Sequence, residues 1–177
     1  MRYAIVWASK GGNTRQVGEA LADALRAAGC ECTYAGEVPA EGSMEEAAVL
    51  AAECVLAGSW TDKGDCDAAL ATLLGKLGGK SVFLFGTAGF GGDPAYFERL
   101  LGIFAQHLPA TAELTGGAMC QGKMGPGIRR RYEGMLADNP DDARAQAMIA
   151  NFDAALAHPT AEDLARIVAA ARESLGW

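Results

Sequence analysis

The fold of this chain is decided near its start by YAIVWASKGGNT, residues 3–14. Residues 3–7 form an unbroken apolar run that is typical of a buried strand, and a helical pattern follows the loop. Glycines let backbone N–H groups approach an anion closely, and a helix begins with unpaired N–H groups and the positive end of its dipole. This order predicts a phosphate-binding loop made of Ser9, Lys10, Gly11, Gly12, Asn13 and Thr14.

The overall composition indicates an acidic globular chain. It has 177 residues, half of them hydrophobic, and a formal net charge of −7 at pH 7. This length suits one domain with a sizeable core and is short for two domains. Because an acidic surface repels polyanions, we expect neither nucleic acid nor a membrane as a partner.

The N-terminal residues show no targeting pattern. Met1 and Arg2 lead directly into the first strand, and the apolar run stops at Ala8. That run is too short for a signal peptide or a membrane span. The sequence therefore predicts a cytoplasmic protein.

The cysteines are predicted to be reduced thiols. No two of the five have Cys-x-x-Cys spacing, and the chain has only two histidines. This pattern favours neither a disulfide framework nor a zinc site, so no metal is expected.

Apolar strands alternate with helical patterns along the chain. Periodicity and stop residues predict strands within 3–7, 30–35, 54–57, 81–85 and 112–120. Helices are predicted between them. One starts at the Ser43-x-x-Glu46 capping box, one carries apolar residues from Leu70 to Leu77 before Gly78-Gly79, and one runs from Asp93-Pro94 to Leu108. Such alternation indicates an α/β fold with a parallel sheet covered on both faces.

The last third of the chain is predicted to be helical. Helices are expected over 128–136, 140–156 and 160–175, with stops and caps supplied by Asn139-Pro140 and by His158-Pro159-Thr160. We expect a single domain over 1–177, with the core sheet and helices in 1–122 and a helical extension in 123–177. The first two of these helices exceed what a five-stranded domain needs and are expected to pack against the sheet edge.

Two further glycine-rich loops are expected beside the phosphate-binding loop. Ligands of open parallel sheets bind beyond the carboxyl ends of the strands. The predicted ligand residues are Trp60, Thr61 and Asp62 after the third strand, and Thr87, Ala88, Gly89, Phe90 and Gly91 after the fourth. A phosphate cradle beside aromatic residues and accessible backbone suits a flat heteroaromatic ring with a phosphate tail, and FMN fits that description.

Two details of this predicted site stay open. The aromatic side chain that would cover the ring is Trp60, Phe90 or Tyr96. The Asp62 carboxylate either accepts a hydrogen bond from the ring edge or caps a turn.

These loops resemble those of the flavodoxin family, whose first loop reads approximately Ser/Thr-x-Ser/Thr-Gly-x-Thr. Ser9, Gly12 and Thr14 match that loop, residues 60–64 correspond to the first flavin-flanking loop, and residues 87–92 correspond to the second. The resemblance implies a flavodoxin-like, doubly wound five-stranded parallel sheet of order 2-1-3-4-5 with extra C-terminal helices, and FMN at the switch point.

The chain departs from the family pattern at Gly11, where a hydroxyl side chain is usual. One hydrogen bond to the phosphate would then come from the backbone or from Lys10. The same departure keeps open a flavodoxin-shaped protein that has lost its flavin and serves as an assembly partner.

The segment from Met119 onward is similar to flavodoxin-like proteins found with bacterial bilirubin reductase. Together the resemblances imply an FMN-binding electron-transfer protein that passes electrons from a reductase to a partner enzyme, here expected to be a bilirubin reductase. The alternative is an FMN-dependent NAD(P)H quinone or flavin reductase, or a subunit of one. No Gly-x-Gly-x-x-Gly follows the first strand, which disfavours a dinucleotide site.

Overall fold

The computed structural model describes every residue from Met1 to Trp177. Five strands form one sheet: β1 (Arg2–Ala8), β2 (Glu31–Glu37), β3 (Cys54–Trp60), β4 (Ser81–Ala88) and β5 (Glu113–Gln121). Their order is β2-β1-β3-β4-β5, and each neighbouring pair is parallel. The expected α/β fold and strand order are therefore confirmed.

Seven helices surround the sheet: α1 (Asn13–Ala27), α2 (Met44–Leu50), α3 (Ala68–Leu74), α4 (Pro94–Ala105), α5 (Pro126–Asp138), α6 (Ala143–Ala155) and α7 (Ala161–Leu175). None of them combines the length and the apolar composition that a bilayer crossing requires. The three C-terminal helices lie within about two residues of their predicted bounds, except that α6 starts later than expected.

Two helices end earlier than their apolar patterns predict. The pattern of α3 continues to Leu77 and that of α4 to Leu108, but the helices end at Leu74 and Ala105. After each end the backbone tightens into i→i+3 hydrogen bonds, such as Leu77 N–H to the Leu74 carbonyl at 3.1 Å. Leu77 is nevertheless fully buried, so its apolar character reports burial and not helix.

Two hydrophobic cores lie on opposite faces of the sheet. Side chains alternate along a strand, so Ala4 of β1 packs with α2, α3 and α4, while Ile5 packs with α1 and α7. Ile167 and Ala171 of α7 are fully buried in this second core. The layer over this face therefore includes a helix from the segment predicted as the extension.

The helices α5 and α6 pack against each other. Their buried residues include Tyr132 and Phe152, and the Arg129 guanidinium lies 5.7 Å from the centre of the Phe152 ring. Packing of this pair against the sheet edge was expected. The structure shows a side-chain contact of α6 with the carboxyl end of the edge strand, where Asn151 meets Gln121 of β5.

All five cysteines are free thiols, as predicted. Three of them, Cys54, Cys66 and Cys120, are buried, and burial raises the pKa of each to about 12. These thiols stay protonated at neutral pH and behave as small core residues.

The N-caps expected at Ser43, Asp93 and Thr160 are confirmed, because each side chain accepts a backbone N–H of its helix.

In α7 the cap is a capping box. Thr160 Oγ1 accepts the Asp163 N–H at 3.1 Å, and Asp163 Oδ2 accepts the Thr160 N–H at 2.9 Å. His158 Nδ1 lies 2.5 Å from the same carboxylate oxygen. Burial by itself raises the pKa of Asp163, but these hydrogen bonds outweigh it and lower the pKa below its ordinary value.

We expect Asp163→Asn to reduce the free energy of unfolding by about 1 kcal/mol at neutral pH, because it weakens the cap. A carboxyl whose pKa is lowered by folding stabilises the protein above its unfolded pKa and loses that contribution as the pH falls through the folded value. The gap between wild type and variant should therefore close below about pH 4, as measured by urea unfolding. Glu162→Gln removes an exposed neighbouring charge and is the control, with little effect at any pH. A gap for Asp163→Asn that does not change with pH would contradict this account.

Candidate functional site

The three predicted ligand loops meet at the carboxyl edge of the sheet, after β1, β3 and β4. Thr87, at the end of β4, connects the three loops through hydrogen bonds. Its Oγ1 lies 2.9 Å from Thr14 Oγ1 in the first turn of α1, and its carbonyl accepts both the N–H and the hydroxyl of Thr61 at 3.0 Å. The predicted residues of all three loops are thus brought together around one threonine.

The loop after β1 presents a run of backbone donors. The N–H groups of residues 10–14 have no acceptor within the chain, whereas the next one, Arg15 N–H, donates to Ser9 Oγ at 3.1 Å. Gly12 is the N-cap of α1 and has φ +86°, a left-handed conformation that favours glycine. Five consecutive free N–H groups at the start of a helix are a donor set that suits a phosphate group.

The side chains of this loop are arranged less simply than their sequence suggests. Thr14 is fully buried, and its hydroxyl is engaged with Thr87. Ser9 Oγ accepts a backbone N–H and keeps its own proton for donation. A phosphate at this loop would therefore be held mainly by backbone N–H groups, with Ser9 and the exposed Lys10 as the available side chains.

The loop after β3 is a tight hairpin. Asp62 and Asp65 exchange backbone hydrogen bonds of 2.8 and 2.9 Å, and Lys63 and Gly64 between them have φ +51° and +91°, as in a type I′ turn. The Asp62 carboxylate is exposed and makes no hydrogen bond in the chain. The turn is closed by backbone hydrogen bonds alone. The Asp62 side chain therefore does not cap it, which was one of the two roles expected for this residue.

The three aromatic candidates differ in exposure. Trp60 is half-buried, and its indole N–H lies 3.4 Å from an Asp67 oxygen. Lys10 Nζ lies 4.9 Å from the centre of the Trp60 ring, a cation–π contact that links the first two loops. Tyr96 is also half-buried, whereas Phe90 is 44 % exposed.

A polar cluster of Asp65, Cys66 and His107, which the sequence did not predict, lies beside the loop after β3. His107 Nε2 lies 2.9 and 3.0 Å from the two Asp65 carboxylate oxygens, and Cys66 N–H donates to one of them at 2.7 Å. Burial opposes ionisation of Asp65, but these hydrogen bonds lower its pKa overall. The cluster ties the loop after β3 to the end of α4. No spacing rule connects residues 65 and 107, so the sequence held no signal for it.

The C-terminal segment also reaches the site. The Gly89 carbonyl, just beyond β4, accepts hydrogen bonds from Gln121 Nε2 and Asn151 Nδ2, both at 3.0 Å. Asn13 Nδ2 donates to the Lys123 carbonyl at 2.9 Å, while Asn13 Oδ1 is buried without a partner. The phosphate-binding loop and the loop after β4 therefore both contact residues that follow β5. Asn151 was not predicted, because it is 62 residues from its partner Gly89.

Comparison with known proteins agrees with this architecture. A family model described as "Flavodoxin domain" matches residues 4–172. The flavodoxin-like domain-containing protein BilS of Clostridium symbiosum (strain WAL-14163) is 45% identical over an alignment of 174 positions, and the alignment covers 93% of this chain and 91% of that protein. A protein of the same name from Clostridioides difficile (strain CD3) is 29% identical over 112 residues, or 63% of this chain and 64% of the other.

Among solved structures, oxidised flavodoxin 2 from Bacillus cereus is similar with a TM-score of 0.53 and 24% identity, covering 88% of this chain and 97% of that one. At this identity the similarity concerns the fold alone. Since the family model spans nearly the whole sequence and the C. symbiosum relative aligns over 93% of it, the chain belongs to the flavodoxin domain family.

Proposed function

We propose that this chain binds FMN at the carboxyl edge of its sheet and serves as an electron-transfer protein. The observation that carries the proposal is the run of free backbone N–H groups over residues 10–14 at the start of α1. This donor set fits the dianionic phosphate of FMN, and no side-chain carboxylate contributes to it. FMN supplies one- and two-electron redox chemistry when it is bound, and the protein supplies its position and surroundings.

The residues of the three loops have distinct tasks in this proposal. The backbone of residues 10–14, with Ser9 and Lys10, would hold the phosphate. Residues 60–62 and 87–91 would flank the ring, with Phe90 as the most exposed aromatic side chain available to cover it. The Thr14–Thr87 hydrogen bond joins the first turn of α1 to the end of β4, where the second ring-flanking loop begins.

The proposed partners are a reductase that delivers electrons and an acceptor enzyme that consumes them. We propose a bilirubin-reducing enzyme as the acceptor and the cytoplasm as the location. Sequence similarity supports the choice of acceptor: the C-terminal segment resembles proteins found with bilirubin reductase, and the chain is 45% identical to a protein named BilS.

Flavin titration and a reductase assay test the proposal together. We expect the purified chain to quench FMN fluorescence to a one-to-one end point. The FMN-loaded protein alone should not consume NAD(P)H steadily, but should carry electrons to cytochrome c when a flavodoxin reductase is supplied. Steady NAD(P)H oxidation by the isolated protein would instead assign it to the FMN-dependent reductases. Absence of quenching would refute FMN binding.

A further inference from the structure

Two side-chain amides from outside the flavin-flanking loops hold one carbonyl of the loop after β4. The Gly89 carbonyl accepts a hydrogen bond from Gln121 at the end of β5 and another from Asn151 in α6. The two amides are also bonded to each other, because Gln121 Nε2 lies 3.0 Å from Asn151 Oδ1. The carbonyl and the two amides form a closed network.

The loop lies directly against this network. A Cβ added at Gly91 would approach Gln121 Oε1 to 2.4 Å, and one added at Gly89 would approach Met124 Sδ to 2.6 Å. The neighbouring Ala88 carbonyl accepts the Gly122 N–H at 2.9 Å. Residues 88–91 therefore lie closely against residues 121–124, at the end of β5 and just beyond it.

The network is partly shielded from water, since Gln121 is only 8 % exposed and both Gly89 and Asn151 are half-buried. Hydrogen bonds in such surroundings are stronger than at the surface, and a partly buried carbonyl that loses one of its two donors keeps part of the cost of its desolvation. Removal of the Asn151 donor would therefore let the loop shift toward another arrangement.

The direction of the Gly89 carbonyl also determines the direction of the Phe90 N–H. The Gly89 carbonyl and the Phe90 N–H belong to one planar trans peptide, so they point in opposite directions. Because the carbonyl points at Gln121 and Asn151, the Phe90 N–H points away from α6. This N–H has no acceptor within the chain.

We infer that Asn151 and Gln121 are positioning residues of the cofactor site, so that the α5–α6 pair is part of that site and not an appendage. This inference rests on the proposed FMN binding. Both amides act through the Gly89 carbonyl, which sets the place of the Phe90 ring and the direction of the Phe90 N–H. The extra helices thereby determine how the flavin ring is flanked.

The test compares Asn151→Leu with Gln146→Leu. The two positions share α6, but the exposed Gln146 donates only to the Pro140 carbonyl. We expect Asn151→Leu to weaken FMN binding about tenfold, to change the absorption spectrum of the bound flavin and to shift its midpoint potential. Gln146→Leu should leave all three within error. Asn151→Asp, which keeps the size but replaces the donor with an acceptor, should behave like Asn151→Leu.

Unfolding is followed in parallel, because a purely structural role would lower stability without changing the bound flavin. An Asn151→Leu protein that binds FMN within about twofold of wild type, with unchanged spectrum and potential, overturns the inference and leaves the proposed function intact. If wild type itself fails to quench FMN fluorescence, the proposed function fails and the inference falls with it.

Discussion

Gly12→Ala is expected to weaken FMN binding by at least about 100-fold. Gly12 has φ +86°, and an L side chain in the left-handed region costs about 1–2 kcal/mol. The chain can relieve this strain by turning the peptide, which redirects N–H groups away from the phosphate. A hydrogen bond to a charged group contributes about 1.5–3 kcal/mol, so losing two of them accounts for the expected factor. Fluorescence titration with FMN measures it.

Gly11→Ala is the matched control for this substitution. A Cβ at Gly11 would meet no atom within 4 Å, and its φ lies outside the left-handed region. The same side chain one residue earlier should therefore change FMN affinity by less than about threefold. Equal losses for the two variants would show that the geometry of this loop is not what holds the cofactor.

Thr14→Val is expected to lower the free energy of unfolding by about 2 kcal/mol. Thr14 is fully buried and its hydroxyl lies 2.9 Å from that of Thr87, which is 2 % exposed. Valine has nearly the shape of threonine, so the main effect is a buried Thr87 hydroxyl without its partner, which costs about 1–3 kcal/mol. Urea unfolding of the FMN-free protein measures the loss.

A double-mutant cycle separates this hydrogen bond from packing. Thr87→Val should lower the free energy of unfolding by about as much as Thr14→Val, because it leaves the buried Thr14 hydroxyl without a hydrogen-bond partner. The double variant replaces both partners with apolar groups of the same shape and should recover most of the stability. Costs that simply add would mean that the two hydroxyls do not depend on each other.

Local patterns predicted much of the fold. Unbroken apolar runs predicted β1, β3 and β4, and the alternation of strands with helices placed β2 and β5. The cap residues Ser43, Asp93 and Thr160 placed three helix starts. The predicted ends of α3 and α4 were too late. Leu77 and the residues near Leu108 are apolar because they pack against the core, although the helices end before them. Hydrophobic periodicity reports which side chains are inside, and it does not report where the backbone leaves the helix.

The site was predictable as a set of loops but not as a set of contacts. Each of the three loops directly follows a strand in sequence. Because the carboxyl ends of parallel strands lie at one edge of the sheet, the meeting of the loops could be predicted. The partners of His107 and Asn151 depend on how α4 and α6 pack, and they lie 42 and 62 residues away in sequence. The burial of Thr14 follows from the register of α1 against the end of β4, which no local pattern specifies.

The central claim is that the loop over residues 9–14 holds the phosphate of a flavin nucleotide. Parallel fluorescence titrations with FMN and with riboflavin, which lacks only the phosphate, test it most directly. The account predicts that FMN binds at least about 100-fold more tightly than riboflavin, since several charge-assisted hydrogen bonds are at stake. Equal affinities for the two flavins, or no binding of either, would contradict it.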